Sequence, residues 1–157
     1  MTIRNSAKAI VIRDNCLLAI RNLDAQGDWY ILPGGGQEHG ETLPQALQRE
    51  CLEELGTIVQ VGTLKLVREY IAQNHEFANQ DSQVHQSQVH QMEFMFACEV
   101  PAGYTPQSGP APDSYQTGVD WLPLPDLMAY RLYPQTLRPI LMAGMPKGPI
   151  AYLGDVN

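Results

Sequence analysis

Three glutamates spaced to share one helix face constrain this chain more than any other feature. Pro33-Gly34-Gly35-Gly36 forms a glycine-rich turn, and Arg49-Glu50-Cys51-Leu52-Glu53-Glu54-Leu55-Gly56 follows it downstream. A helical residue advances about 100° per step, so Glu50, Glu53 and Glu54, at i, i+3 and i+4, fall on one face. Carboxylates crowded there repel and raise one another's pKa unless a cation neutralises them. Hard oxygen donors suit Mg²⁺ or Mn²⁺ rather than zinc. The pattern predicts a metal site beside a glycine turn, built to meet something anionic.

Local signals delimit the helix that would carry these groups. Thr42 and Gln45 have the spacing of a capping box, and Pro44 is tolerated in a first turn. Leu43, Ala46, Leu47, Cys51 and Leu55 form an apolar stripe, and Gly56 stops the helix. A helix over 43–55 is expected, with its core-facing arc distinct from its acidic arc.

Strands are expected on both sides of it. Ala7–Arg13 and Cys16–Ile20 are apolar runs joined by Asp14-Asn15, which reads as a hairpin. Trp29–Leu32 is a short strand after the loop 25–28, and Ile58–Ile71 is one long strand or two broken near Gly62-Thr63. Residues 91–100 alternate, with Met92, Phe94, Phe96, Cys98 and Val100 on one face and Gln91, Glu93, Met95, Ala97 and Glu99 on the other. The tandem repeat Ser82-Gln83-Val84-His85-Gln86 and Ser87-Gln88-Val89-His90-Gln91 is too short for a solenoid and reads as a polar loop entering that strand. A long loop at 101–118, a strand at 119–122, a short helix opened by Pro125 and a longer one from Pro134 to about Ala143 complete the reading. No linker divides the chain, so residues 1–157 are expected to form one domain.

Composition narrows the partners. Net charge is −7, with 17 acidic against 10 basic residues, which leaves no electrostatic footprint for duplex nucleic acid. The same balance makes a bridging cation more necessary for any phosphate substrate. Cys16, Cys51 and Cys98 are widely spaced in apolar contexts and read as buried reduced thiols. No apolar run is long enough to cross a membrane and Met1-Thr2-Ile3-Arg4 does not open a signal peptide, so a cytoplasmic, soluble protein is expected.

Residues 35–57 resemble the signature of the Nudix hydrolase family, G-x5-E-x7-R-E-U-x-E-E-x-G-U, where U is bulky and apolar. Gly35, Glu41, Arg49, Glu50, Glu53, Glu54 and Gly56 stand at the required spacing, with Cys51 at the first U. Thr57 departs from the pattern at the last U, where neighbouring Ile58 could supply the apolar contact. The resemblance implies a mixed α/β/α sandwich with a mixed sheet, and Mg²⁺-dependent hydrolysis of a nucleoside diphosphate linked to another moiety. It makes Glu50, Glu53 and Glu54 the metal-binding glutamates, with the Gly34 carbonyl a further contact. Arg49 becomes the residue that orients a box glutamate, and its i+4 spacing to Glu53 separately permits a contact along the helix. Glu41 is expected to brace the loop–helix junction. The proline and tyrosine cues that mark ADP-ribose and dinucleoside polyphosphate hydrolases of this family are missing around Tyr70–Asn74, which leaves nucleoside triphosphates and nucleotide sugars open.

Other candidates carry two readings each. Glu93 is either a solvated strand residue or an extra metal-binding carboxylate, and Glu69 and Glu76 are unranked alternatives. Trp29 and Tyr30 either stack on a base, beside the backbone of Gly35 and Gly36, or pack a strand. His75, His85 and His90 lack a nearby cysteine and read as loop residues rather than zinc ligands. Arg21 and Arg68 are surface residues or phosphate contacts, and Trp121 is core. Two further function classes stay in play: a Nudix-fold binding or sensing module without turnover, and a calcium-binding structural domain. Intact box glutamates argue against the first, and their helical setting against the second. The long loop and apolar C-terminal helix could support a homodimer.

Overall fold

Asp14 and Asn15 both adopt left-handed backbone angles, φ 51° and 60°, the combination a two-residue hairpin turn requires. The computed structural model describes residues 2–75 and 89–157, and this turn joins strands β2 (Ile12–Arg13) and β3 (Cys16–Asp24). The expected hairpin is present, but its first arm is split. Residues Arg4–Ile10 form β1 in one sheet, and the chain passes at Val11 into β2 of a second. A run of apolar β-formers marks strand without saying which sheet takes it, so the break was invisible in the sequence.

The remaining elements are β4 (Gly27–Ile31), β5 (Gly34–Gly36), α1 (Leu43–Leu55), β6 (Gln60–Ile71), β7 (His90–Glu99), β8 (Gln116–Pro123), β9 (Leu132–Tyr133), α2 (Leu137–Met142) and β10 (Ala151–Asp155). Sheet one runs β10-β6-β7-β1-β5, and sheet two runs β2-β3-β4-β9 with β8 also on β3. Both are mixed: β1–β7 and β10–β6 are parallel in the first, and β4–β9 in the second. The mixed α/β architecture expected from the sequence is present, its strands divided between two mixed sheets. β6 is one strand whose register shifts across Gly62-Thr63, and β9 and β10 were not anticipated.

Two cores cover opposite faces of these sheets. Leu47, Cys51 and Leu55 of α1 pack with Ala7, Ala9, Leu18, Ile20, Phe96 and Cys98. On the other side, Leu137 and Leu141 of α2 pack with Ile10, Leu17, Ala19, Leu66, Met95 and Leu122. Helices on both faces of central sheets give the α/β/α layering. β7 is sandwiched, so its polar face is not solvated as its alternation suggested: Met95 is 0% and Glu93 4% exposed. α2 is shorter than expected because Pro139 lacks an N–H and must sit in a first turn, which forbids a start much before Leu137. The apolar contact assigned to Ile58 belongs instead to Val59, which is 0% exposed against 66% for Ile58. Among the described residues no helix is long and apolar enough to cross a membrane. The cysteines are free, Cys51 and Cys98 buried and Cys16 half-buried.

Candidate active site

Both ends of α1 are pinned. The Thr42–Gln45 capping box forms in both directions, and Gly56, φ 70°, closes the helix by donating its N–H to Leu52. The last carbonyls then find partners in the proline-rich loop: Gly109 and Gln116 donate to Glu54 O at 2.9 Å each, Ala111 to Glu53 O at 3.2 Å, and Tyr104 Oη to Leu55 O at 3.2 Å. A helix anchored this way holds its acidic face at fixed height over the glycine turn.

Each glutamate on that face has a different environment. Glu54 is 2% exposed and accepts the Gly34 N–H at 2.8 Å. Burial pushes its carboxyl up to about 7, against the lowering pull of Lys8 and of the Gly34 N–H. Glu50 lies over Gly35, whose bare α-carbon makes the space: a Cβ there would stand 2.5 Å from the carboxylate. Glu53 is the most open of the three, its side chain 40% exposed.

Arg49 fastens the group together. It donates to Glu41 at 2.7 and 3.0 Å, to Glu50 at 2.8 Å and to the Gly36 carbonyl at 2.9 Å, with Glu53 at 3.8 Å. Its hydrogen bonds, with one from the Glu38 N–H, hold the Glu41 carboxyl down to about 2. Glu41 braces the loop, as its position suggested.

The expectation that the glutamates crowd together needs correcting. Among the described residues no three histidines, cysteines or carboxylates lie close enough to hold an ion as placed. Glu54 turns inward to the Gly34 amide and Glu50 sideways to Arg49, so hydrogen bonds separate them. The donor set still fits a hard divalent cation. It is all oxygen, it lies on one helix face, and Glu54 is short of compensating positive charge.

Glu93 is not brought to this cluster. Its carboxylate accepts from Arg68 Nε at 2.5 Å and from Gln91 Nε2 at 2.7 Å. Arg68 also donates to the Val156 carbonyl at 2.5 Å, so the pair is a buried tie between β6, β7 and the segment after β10. Although burial raises the Glu93 carboxyl, Arg68 and then Lys8 bring it below the ordinary range. Arg68 is accordingly buried rather than a surface residue. Arg21 pairs with Asp120 at 3.1 Å.

A cavity of about 320 Å³ opens between the two sheets. Trp29 and Tyr133 line it from the second sheet, and Lys8, Arg68, Tyr70 and Glu93 from the first. Trp29 meets Tyr133 edge-on at 6.3 Å. Tyr30 points the other way, into the second core, where its hydroxyl reaches Asp120 and its ring meets Tyr130. Strand alternation separates these neighbours: one faces the cavity and the other the core. Gly36 approaches the Arg4 guanidinium rather than the cavity. His75 bonds Asp155 at 2.7 Å and His90 lies 3.4 Å from Glu69. His85 and Glu76 lie outside the described residues, as does most of the short repeat.

Sequence reasoning missed Lys8, Tyr70 and Tyr133 at this cavity. Lys8 alone left a signal, as the one charge inside the apolar run 7–12.

The family model described as NUDIX domain matches residues 2–143. Similar solved structures include a NUDIX hydrolase from Nitrosomonas europaea (19% identity, 92% of each chain, TM-score 0.66). An ADP-ribose pyrophosphatase from Streptococcus suis shares 15% identity over 98% of this chain and 100% of its own, with TM-score 0.66. A MutT protein from Bacillus halodurans shares 17% over 96% and 87%, also with TM-score 0.66. At these identities the structures speak for the fold alone. No curated protein matches the chain. With its signature helix, its layered sheets and a family match across most of its length, the chain belongs to the Nudix hydrolase family.

Proposed function

We propose that the protein hydrolyses a phosphoanhydride bond in a nucleoside diphosphate linked to another moiety, such as a nucleoside triphosphate or nucleotide sugar, with Mg²⁺ or Mn²⁺ as cofactor. One observation carries the reading. Glu50 and Glu54 are seated on the glycine turn, next to a cavity with aromatic walls and cationic groups. Aromatic faces take a nucleobase, and Lys8, at the cavity, bonds Gly34 of the turn.

Glu50, Glu53 and Glu54 would hold the cation; the Gly34 carbonyl, which accepts from Lys8 Nζ at 2.7 Å, would join them on releasing that bond. When bound there, it screens phosphate charge and lowers the pKa of a coordinated water. Arg49 keeps Glu50 over Gly35 and braces the loop through Glu41. Glu53, the carboxylate most open to solvent, accepts a proton as the water oxygen attacks phosphorus. The bridging P–O bond breaks and the second phosphate leaves with the electron pair. Trp29 orients the nucleoside so that the attacked phosphorus lies over the turn.

The test is a panel of nucleoside triphosphates and nucleotide sugars, assayed for phosphate release after phosphatase coupling, with and without Mg²⁺. Hydrolysis of at least one compound, dependent on Mg²⁺ and lost in Glu53→Gln, is expected. Equal rates in Glu53→Gln and the parent overturn the assignment of Glu53. A flat panel with measurable nucleotide binding identifies a sensing module without turnover.

A further inference from the structure

Three arginines described above are each in an ion pair, and of them only Arg68 lines the cavity. Arg68 is paired with Glu93, Arg49 with Glu41 and Glu50, and Arg21 with Asp120. Lys8 differs. It projects from β1, opposite Gly34 of β5 and Met95 of β7. Its Nζ donates to the Gly34 carbonyl at 2.7 Å, and it forms no ion pair among the described residues. An ammonium has three N–H donors, so two are left for a ligand. The side chain is half-buried, where an unpaired charge is costly unless an anion arrives.

Position says which anion. Lys8 lines the cavity that also holds Trp29 and Tyr70, and its charge is felt by both Glu54 and Glu93. The Gly34 residue whose carbonyl it grips also donates its N–H to Glu54. Lys8 therefore stands at the junction between cavity and acidic helix face, where the first phosphate after a nucleoside would pass. We propose that Lys8 is a substrate-binding residue that grips the phosphate nearest the nucleoside, joining the cavity to the site of cleavage. This rests on the function proposed above and adds to it a protein-borne phosphate contact that works without metal.

Metal-free binding separates the two ideas. Parent protein in EDTA is titrated calorimetrically with ADP, GDP, CDP and UDP and with the matching nucleosides, beside Lys8→Met and Lys8→Arg. The parent is expected to bind at least one diphosphate more tightly than its nucleoside. Lys8→Met should weaken that diphosphate by about 10- to 100-fold, the range of one charge-assisted hydrogen bond, and leave the nucleoside unchanged. Lys8→Arg should recover most of the loss. Equal diphosphate affinity in Lys8→Met and parent overturns the role of Lys8 while leaving the proposed function intact. Failure of the parent to bind any of the four, with or without Mg²⁺, overturns both.

A second measurement needs no variant. A nucleoside-diphosphate acyl phosphate transfers its acyl group to an amine beside its phosphates. The amine nitrogen attacks the acyl carbon, the nucleotide phosphate leaves, and an amide remains with its proton lost to solvent. Peptide mass spectrometry should find the label on Lys8, suppressed by excess diphosphate, with Lys65 and Lys147 as internal references. Labelling of the reference lysines without Lys8 overturns the proposal.

Discussion

Replacing Glu54 with glutamine should make the metal-free protein more stable at pH 8 and barely change it at pH 5. The Glu54 carboxyl is lifted by burial from its ordinary 4.5 to about 7. Between these values the folded chain keeps a proton that the unfolded chain releases. Stability therefore falls as pH rises through that window and is flat on either side. At about 1.4 kcal/mol per decade the total is roughly 3 kcal/mol. Glutamine matches the shape, still accepts the Gly34 N–H through its amide oxygen, and does not titrate. Thermal melts in EDTA at pH 5 and pH 8 isolate the effect, since both proteins share every other ionisable group. At about 2–4 °C per kcal/mol for a chain of this size, Glu54→Gln should melt roughly 6–12 °C above the parent at pH 8. Mg²⁺ should narrow that gap by stabilising the parent. A gap of equal size at both pH values would refute the argument that burial holds the proton.

Further outcomes follow from the glycine turn and the helix cap. Gly35→Ala drives a Cβ into the Glu50 carboxylate and should lower kcat/KM by about 10²-fold, read in the panel assay. Gly36→Ala meets only the mobile end of exposed Arg4 and should leave the rate unchanged, which makes it the control. Thr42→Ala removes the cap on α1 and should cost about 1 kcal/mol, seen as a melting-point drop of about 2–4 °C with KM unaltered.

How far the sequence alone reached depended on the range of the interactions involved. The limits of α1 were legible because Thr42, Gln45, Pro44 and Gly56 act within one turn of themselves. Arg49 was legible for the same reason, although its strongest partner is Glu41 rather than Glu53. The Glu93–Arg68 pair was not, since it spans 25 residues and depends on the register of β6 against β7. Alternation along β7 gave both faces correctly, but a second helical layer buries the one that sequence polarity marks as wet. The separation of Trp29 from Tyr30 needed the sheet, because one residue of register decides which side chain meets the cavity. β10 escaped notice because its residues lie exposed or half-buried at a sheet edge and carry no apolar rhythm.

Val11, 2% exposed, is the single residue through which β1 of one sheet continues into β2 of the other. The gap that Trp29 and Tyr133 face across to Arg68 and Tyr70 thus lies between two sheets that share this link in the core. A ligand entering that gap would meet those side chains on strands of both sheets rather than on a loop.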